Sequence, residues 1–357
     1  MLEGLFFKLR RHKSSGRPPG DRGLPGPAPS PRRASPFSAA RDAALNEHAN
    51  VIGLAVTLIA LCVFFAYKSP HFFTVSNALV IGTAVSVVVI MAVVQTIVLI
   101  SGGLDISITS VLALSSIATA LALSHGAPLL VALLAGVAVG AAAGLVNSAL
   151  IVLIGVNALI ATIATQFAFR GVAFLSTDGN AVDLSQRRNF TRIGNDRFLD
   201  VPIPIWIAAG MCLLVIGTLR FTRFGSNVYS VGGSGEAARL AGIRVGRLRV
   251  LIYVLSGISA AVAGIVLTSL NQAAFPGAGS GDELTVIAAV ILGGTALMGG
   301  RGSAIGTLLG VMMLGVLANG LNLLSVQAFW QIFIQGVVLI LAVAFDALRN
   351  KSTGSIR

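Results

Sequence analysis

Ten long apolar runs divide this chain, and their continuity decides what it can fold into. They cover, approximately, residues 51–67, 78–100, 108–124, 128–154, 157–175, 202–219, 248–270, 284–300, 303–323 and 328–345. A helix rises about 1.5 Å per residue and a hydrocarbon core is about 30 Å thick, so about 20 apolar residues make one crossing. The runs are continuous instead of alternating every second residue, which favours helices over a porin-like barrel. The third and fifth carry polar interruptions and the eighth ends in a glycine run. Each of these three is expected either to cross or to re-enter, giving eight to ten spans. Composition agrees: 55% of the residues are hydrophobic and 11% charged, against about 25% charged in a soluble domain. The expected fold is an all-α, polytopic transmembrane helix bundle over residues 46–349, with a short tail at 350–357.

The net charge of +12 is concentrated outside the apolar runs. Nine of the 25 Lys and Arg residues lie in the first 41 positions, around RPPGDRGLPGPAPSPRR. Rich in Pro, Gly, Ser and Arg, residues 1–45 bury too little apolar surface to offset their ordering entropy and are expected to be a disordered basic tail. No signal-peptide pattern is read there, because the first long apolar run begins near Val51 with no small-residue cleavage site after it. With ten spans and the tail in the cytoplasm, the loop 220–247, Arg249, Arg301, Arg349, Lys351 and Arg357 are also inside, as the positive-inside rule requires. Lys68, Arg187, Arg188, Arg192 and Arg197 fall outside, and Arg170 lies within a span. The basic residues therefore read as membrane topology with both termini cytoplasmic, and not as a nucleic-acid surface.

Several chemistries find no residues to carry them. Cys62 and Cys212 stand in separate apolar runs, and the four histidines are scattered near segment ends, so neither a disulfide framework nor a metal site is read. None of Lys8, Lys13, Lys68 and Lys351 follows a glycine, which excludes the phosphate-cradling GxxxxGK[ST] loop. The glycine-rich LGGTALMGG at 292–300 lacks GxGxxG and is intramembrane. No His, Ser and carboxylate constellation for a membrane enzyme stands out.

The polar motifs that remain each allow two readings. GGSGEAARLAGIRVGRLR, residues 232–249, reads as a Gly-rich turn, a short helix and a basic re-entry. Glu236 complements the helix dipole and Gly242 can end the helix. With small Ala237 and Ala238 exposed, it is either a docking helix for a groove on another protein or a self-capping linker. In GGLDIS, residues 102–107, Asp105 is either a functional intramembrane acid or, with Ser107, a cap for the next helix. Arg170 either snorkels to the outer interface or pairs between helices, or it lines a pathway. Gly293 and Gly294 either pack helices tightly or unwind to offer carbonyls to a cavity. Among the span amides, Asn147 and Asn319 are singled out as partners for a passing polar solute, against plain interhelical hydrogen bonding. The outer loop 176–201 carries four Arg and four Asp, and Asp282 and Glu283 are placed in the next outer loop. Arg187 and Arg188 could meet acids of a soluble partner there, or the loop could pair its charges internally.

The 232–249 stretch resembles the coupling segment of ABC-importer permeases of the ribose and monosaccharide type, in which EAA-x-x-GI follows a Gly pair. SPHFFTVSN at 69–77, GGLDIS, FRG at 169–171, GDELTVIAAVILGGTALMGGRGSAIGTLLG at 281–310 and NGLNLL at 319–324 resemble the same family in the same order, over about residues 50–345. The resemblance implies a type II importer-like permease in a bacterial inner membrane, dimeric with itself or a relative, importing a monosaccharide without bond chemistry of its own. It implies no cofactor on this chain, with ATP and Mg²⁺ on a partner ATPase whose groove takes Glu236, Ala237, Ala238, Arg239, Gly242 and Ile243, and a periplasmic sugar-binding protein outside. Nucleosides, branched-chain amino acids and sugar-like signals are carried by relatives. A secondary transporter would instead need intramembrane acids, which are scarce in this sequence.

Overall fold

The computed structural model describes residues 36–327, together with 329–334, 336, 337 and 340, and side chains from Val51 onward. Helices α1 (Pro36–Lys68), α2 (Val75–Ile100), α3 (Ile108–Ser124) and α4 (Leu129–Ser148) follow one another through short turns. α4 continues as a π-helical segment, Ala149–Ile154, which stops at Gly155 with φ of 83°. After α5 (Ala158–Leu175) comes a loop holding α6 (Arg188–Asn195). Then follow α7 (Ile203–Phe221), α8 (Arg223–Gly233), α9 (Gly235–Leu240), α10 (Val245–Asn271), α11 (Asp282–Leu292) and α12 (Ala304–Leu323). Four two-residue strands form two antiparallel ladders. β1 (Val182–Asp183) pairs with β4 (Ala273–Ala274), and β2 (Arg197–Phe198) pairs with β3 (Val201–Pro202).

Seven helical segments among the described residues are long and apolar enough to cross a membrane: 51–68, 75–100, 129–154, 158–175, 203–221, 245–271 and 304–323. The chain is an all-α, multi-pass membrane protein. The fifth run, which could have re-entered, is one unbroken helix, because Thr162 returns its hydroxyl to the Ala158 carbonyl at 2.9 Å and Thr165 to Thr162 at 3.2 Å. The third run is also intact but shorter, with Ser110, Ser116 and Thr119 bonded to carbonyls of the preceding turn. The eighth run is broken: α11 has 11 residues, and no helix spans 293–303. The tenth run falls partly outside the described residues, with 329–334 helical. Of the expected tail, residues 1–35 lie outside the described residues and 36–45 belong to α1.

α2 is the buried axis, packed by α7, α10, α11 and α12. Glycines set the closest crossings. A Cβ on Gly140 would overlap the Gly257 carbonyl, one on Gly257 the Gly140 carbonyl, and one on Gly144 the Tyr253 carbonyl, so α4 and α10 run antiparallel with backbones in contact. α11 meets α12 in the same way through Gly293 and Gly306. The start of α2 stands beside the start of α7, since Gly82 faces Ile205, and beside the end of α12, since Asn77 bonds Asn319. The bundle thus has two ends. One carries α6 and the β1–β4 ladder, and the other carries α8, α9 and the break at 293–303.

Candidate functional site

The most buried polar cluster surrounds Asp105, which is 2% exposed. Its Oδ1 accepts the Ser107 hydroxyl at 2.6 Å and the Ser107 amide at 3.0 Å, and its Oδ2 accepts the Ser256 hydroxyl at 2.6 Å. Asn147 donates to the Ser107 hydroxyl at 2.8 Å and accepts from Thr165 at 2.6 Å. Gln95 donates to the Asp105 carbonyl at 3.1 Å. This network, centred on Asp105 and relayed through Ser107 and Asn147, ties α2, α3, α4, α5 and α10 together. Neither proposed cap forms: Ser107 makes no side-chain cap bond, and Asp105 reaches only the amide of the N-cap residue itself, which makes a local turn. With Asp105 sealed from solvent and both its carboxylate oxygens engaged, the cluster is a knot holding the bundle rather than a surface open to a solute.

A second polar cluster forms where the chain returns after β4. Glu283, the second residue of α11, accepts from Thr109 at 2.7 Å, from Gln166 at 3.1 Å and from the Gly281 amide at 3.1 Å. Arg170 donates to the carbonyls of Ala278 at 2.6 Å and Pro276 at 3.0 Å. These contacts overturn two expectations. Arg170 turns inward instead of snorkelling, because two backbone carbonyls of a re-entering segment take its Nη1 hydrogens. Glu283 is not in an outer loop, because the chain between β4 and α11 descends to Gln166, halfway along α5, and to the first turn of α3.

At the opposite end, α9 is capped at both termini. The Ser234 hydroxyl accepts the Ala237 amide at 3.2 Å. Gly242, with φ of 85°, donates to the Arg239 carbonyl, and Ile243 donates to Ala238, forming a Schellman stop. Glu236, Ala237, Arg239 and Gly242 are exposed and Leu240 is 85% exposed, so one face of the helix stands free. Ala238 is the correction: at 4% exposure it faces α8 and α10 rather than an open surface, because a helix this short must turn one side to its own bundle. The expected Gly-rich turn is also revised, since Gly232 and Gly233 are the last residues of α8. A Cβ on Gly232 would overlap the Ile100 carbonyl and press on the Gly300 amide, which itself donates to Ile100 at 2.8 Å. Next to Gly242 and Ile243 an open groove of ≈ 510 Å³ also takes in Arg244 and Arg247.

The other candidates are dispersed. Gly293 is buried against Gly306, and Gly294, with φ of 87°, ends α11 in a second Schellman stop through Thr295 and Val290. Asn319 exchanges two amide bonds with Asn77, at 2.9 and 3.0 Å, far from Asp105. Arg187 and Arg188 are exposed at the start of α6. That helix is anchored on α10 by Ser269, which donates to the Phe190 carbonyl and accepts the Gly194 amide, both at 2.7 Å. In the same loop the Ser185 amide and hydroxyl hold the Asp183 carboxyl below the usual carboxylate range. Arg192 and Asp196, 3.6 Å apart, form the one ion pair among the described residues.

A glycine-packed bundle with polar groups at mid-depth and a capped helix standing off one end defines the class: a multi-span membrane permease. Residues 77–343 match the family described as branched-chain amino acid transport system, permease component, and the chain belongs to this family. It is 40% identical over 294 residues to the ribose import permease protein RbsC of Escherichia coli (strain K12), covering 82% of this chain and 92% of that one. Against RbsC of Bacillus subtilis (strain 168) identity is 38% over 302 residues, 84% and 93% of the two chains. Against the L-arabinose transport system permease protein AraH of Escherichia coli (strain K12) it is 36% over 312 residues, 87% and 93%. No solved structure matches this chain.

Proposed function

We propose that the chain is the membrane subunit of an ATP-driven, binding-protein-dependent importer that carries a monosaccharide, ribose or a related pentose, into the cytoplasm. The observation that carries the reading is its 40% identity to a ribose import permease over 92% of that protein's length. The α9 end then faces the cytoplasm, where the basic residues of α8 and α9 and both termini belong by the positive-inside rule. The permease works as a pair, with itself or a related subunit, in the bacterial inner membrane. Its exposed α9 face enters a groove on an ATPase that holds ATP and Mg²⁺. The rigid α6 platform, with Arg187 and Arg188, receives a periplasmic sugar-binding protein. Closure of the ATPases moves α9, α8 pushes the end of α2 and the 299–300 turn, and the bundle switches the side to which its path opens.

Reconstitution with the cognate ATPase and binding protein tests this directly. ATP-dependent uptake of labelled D-ribose or L-arabinose into proteoliposomes is expected. Uptake without ATP would replace the reading with an ion-coupled transporter. Uptake of leucine but of neither sugar would replace it with the amino-acid cargo in the family's description. Gly242→Val places a β-branched residue at φ of 85°, at a cost of about 1–2 kcal/mol that frays the α9 stop. Replacing Gly242 or Glu236 is expected to raise the ATP consumed per sugar severalfold while insertion stays normal. Wild-type stoichiometry in both variants would remove α9 from the coupling path.

A further inference from the structure

We propose that Glu283 is the group on the transport path that recognises sugar hydroxyls, presented at the middle of the membrane by a re-entrant segment that Arg170 holds in place.

Depth comes first. Gln166, which donates to Glu283 at 3.1 Å, is halfway along the crossing helix α5. Thr109, which donates to it at 2.7 Å, is in the first turn of α3, close to Leu112, whose carbonyl touches α10 at Gly264, inside a 27-residue crossing. A carboxylate at this depth cannot face hydrocarbon without a large penalty. Yet Glu283 is only partly buried and Asp282 beside it is exposed. The open side of this cluster therefore borders water or a polar solute.

The chemistry on that side suits a sugar. Glu283 offers a strong acceptor whose position is fixed by three donors, and Gln166 adds an amide beside it. A few convergent polar groups in a partly open cluster suit a neutral polyol. Arg170 turns both Nη1 hydrogens to the Pro276 and Ala278 carbonyls, so the guanidinium holds the segment in place. Arg170 is thus a positioning residue, and Glu283 the one that touches the cargo.

The inference rests on the monosaccharide reading above, and the test separates the two. The full transporter with ATPase and binding protein is assayed in proteoliposomes with D-ribose and its monodeoxy analogues, each delivered by saturated binding protein. In Glu283→Ala, ribose uptake at saturation is expected to fall by about tenfold or more, the loss typical of a charge-assisted hydrogen bond, and discrimination against at least one deoxy analogue is expected to shrink. Glu283→Gln keeps the size of the side chain, so it decides the matter should the alanine variant fail to assemble: the same loss of discrimination is expected. Unchanged rate and discrimination in the variant that assembles would overturn the role. Loss of the permease pair on size-exclusion in both variants, with discrimination intact in any pairs that remain, would also overturn it and assign this face to a second copy. If the wild type carries no sugar, the functional reading itself fails.

Discussion

Gly257→Val is expected to lower the thermal midpoint of the purified permease by roughly 5–10 °C, the equivalent of about 3 kcal/mol or more. The reason is geometric. Gly257 faces the backbone of α4, where a Cβ would overlap the Gly140 carbonyl, and Gly140 and Gly144 face α10 just as closely. A side chain in a soft core can shift its neighbours. Here the obstacle is a carbonyl of a continuous helix, so the two crossings must move apart as rigid bodies. Ser256, next along α10, would then lose its 2.6 Å bond to Asp105, and the knot joining α2, α3, α4, α5 and α10 would open with it. A thermal melt in detergent checks this against Gly210→Val, at a glycine whose Cβ would meet nothing within 4 Å. Equal midpoints in the two variants would disprove the α4–α10 contact.

Gly232→Val is expected to leave ATP hydrolysis by the assembled complex in place while cutting sugar uptake by about tenfold, near 1.4 kcal/mol of lost coupling. Gly232 lets α8 reach the end of α2, where the Ile100 carbonyl also takes the Gly300 amide. That three-way contact joins the α9 arm to both the axial helix and the break after α11. A branched side chain would lift α8 off it. ATP hydrolysed per sugar delivered is the decisive ratio, and a value equal to wild type would sink this route for the stroke.

The helix bundle was legible because burial in lipid demands long apolar runs, and among the described residues eight of the ten runs meet a helix at nearly the expected residues. The break inside the eighth was signalled by its glycines. How its start is placed was not legible, because Asp282 and Glu283 look like loop residues until Thr109 and Gln166, distant in sequence, are seen to enclose Glu283. The site residues divide along the same line. Gly242 ends α9 through a local rule that the sequence states openly. Gly232 was misread as a turn because intrinsic propensity sets glycine against helix, whereas here contact with Ile100 outweighs propensity. Ala238 was expected to be exposed because nothing local tells which side of so short a helix the bundle covers. Asp105 was marked by its rarity, but its five-helix connection depends on partners up to 151 residues away.

The stretch between β4 and α11 has one more consequence. Gly277, Ser280 and Gly281 are exposed where the chain descends as turns instead of helix, its peptide groups closing on one another and on Glu283. Irregular backbone at membrane depth is tolerated only under a cover of protein or water, so this stretch marks the side of the bundle that cannot rest against lipid, while beyond it Gly293 and Gly306 press two helices together.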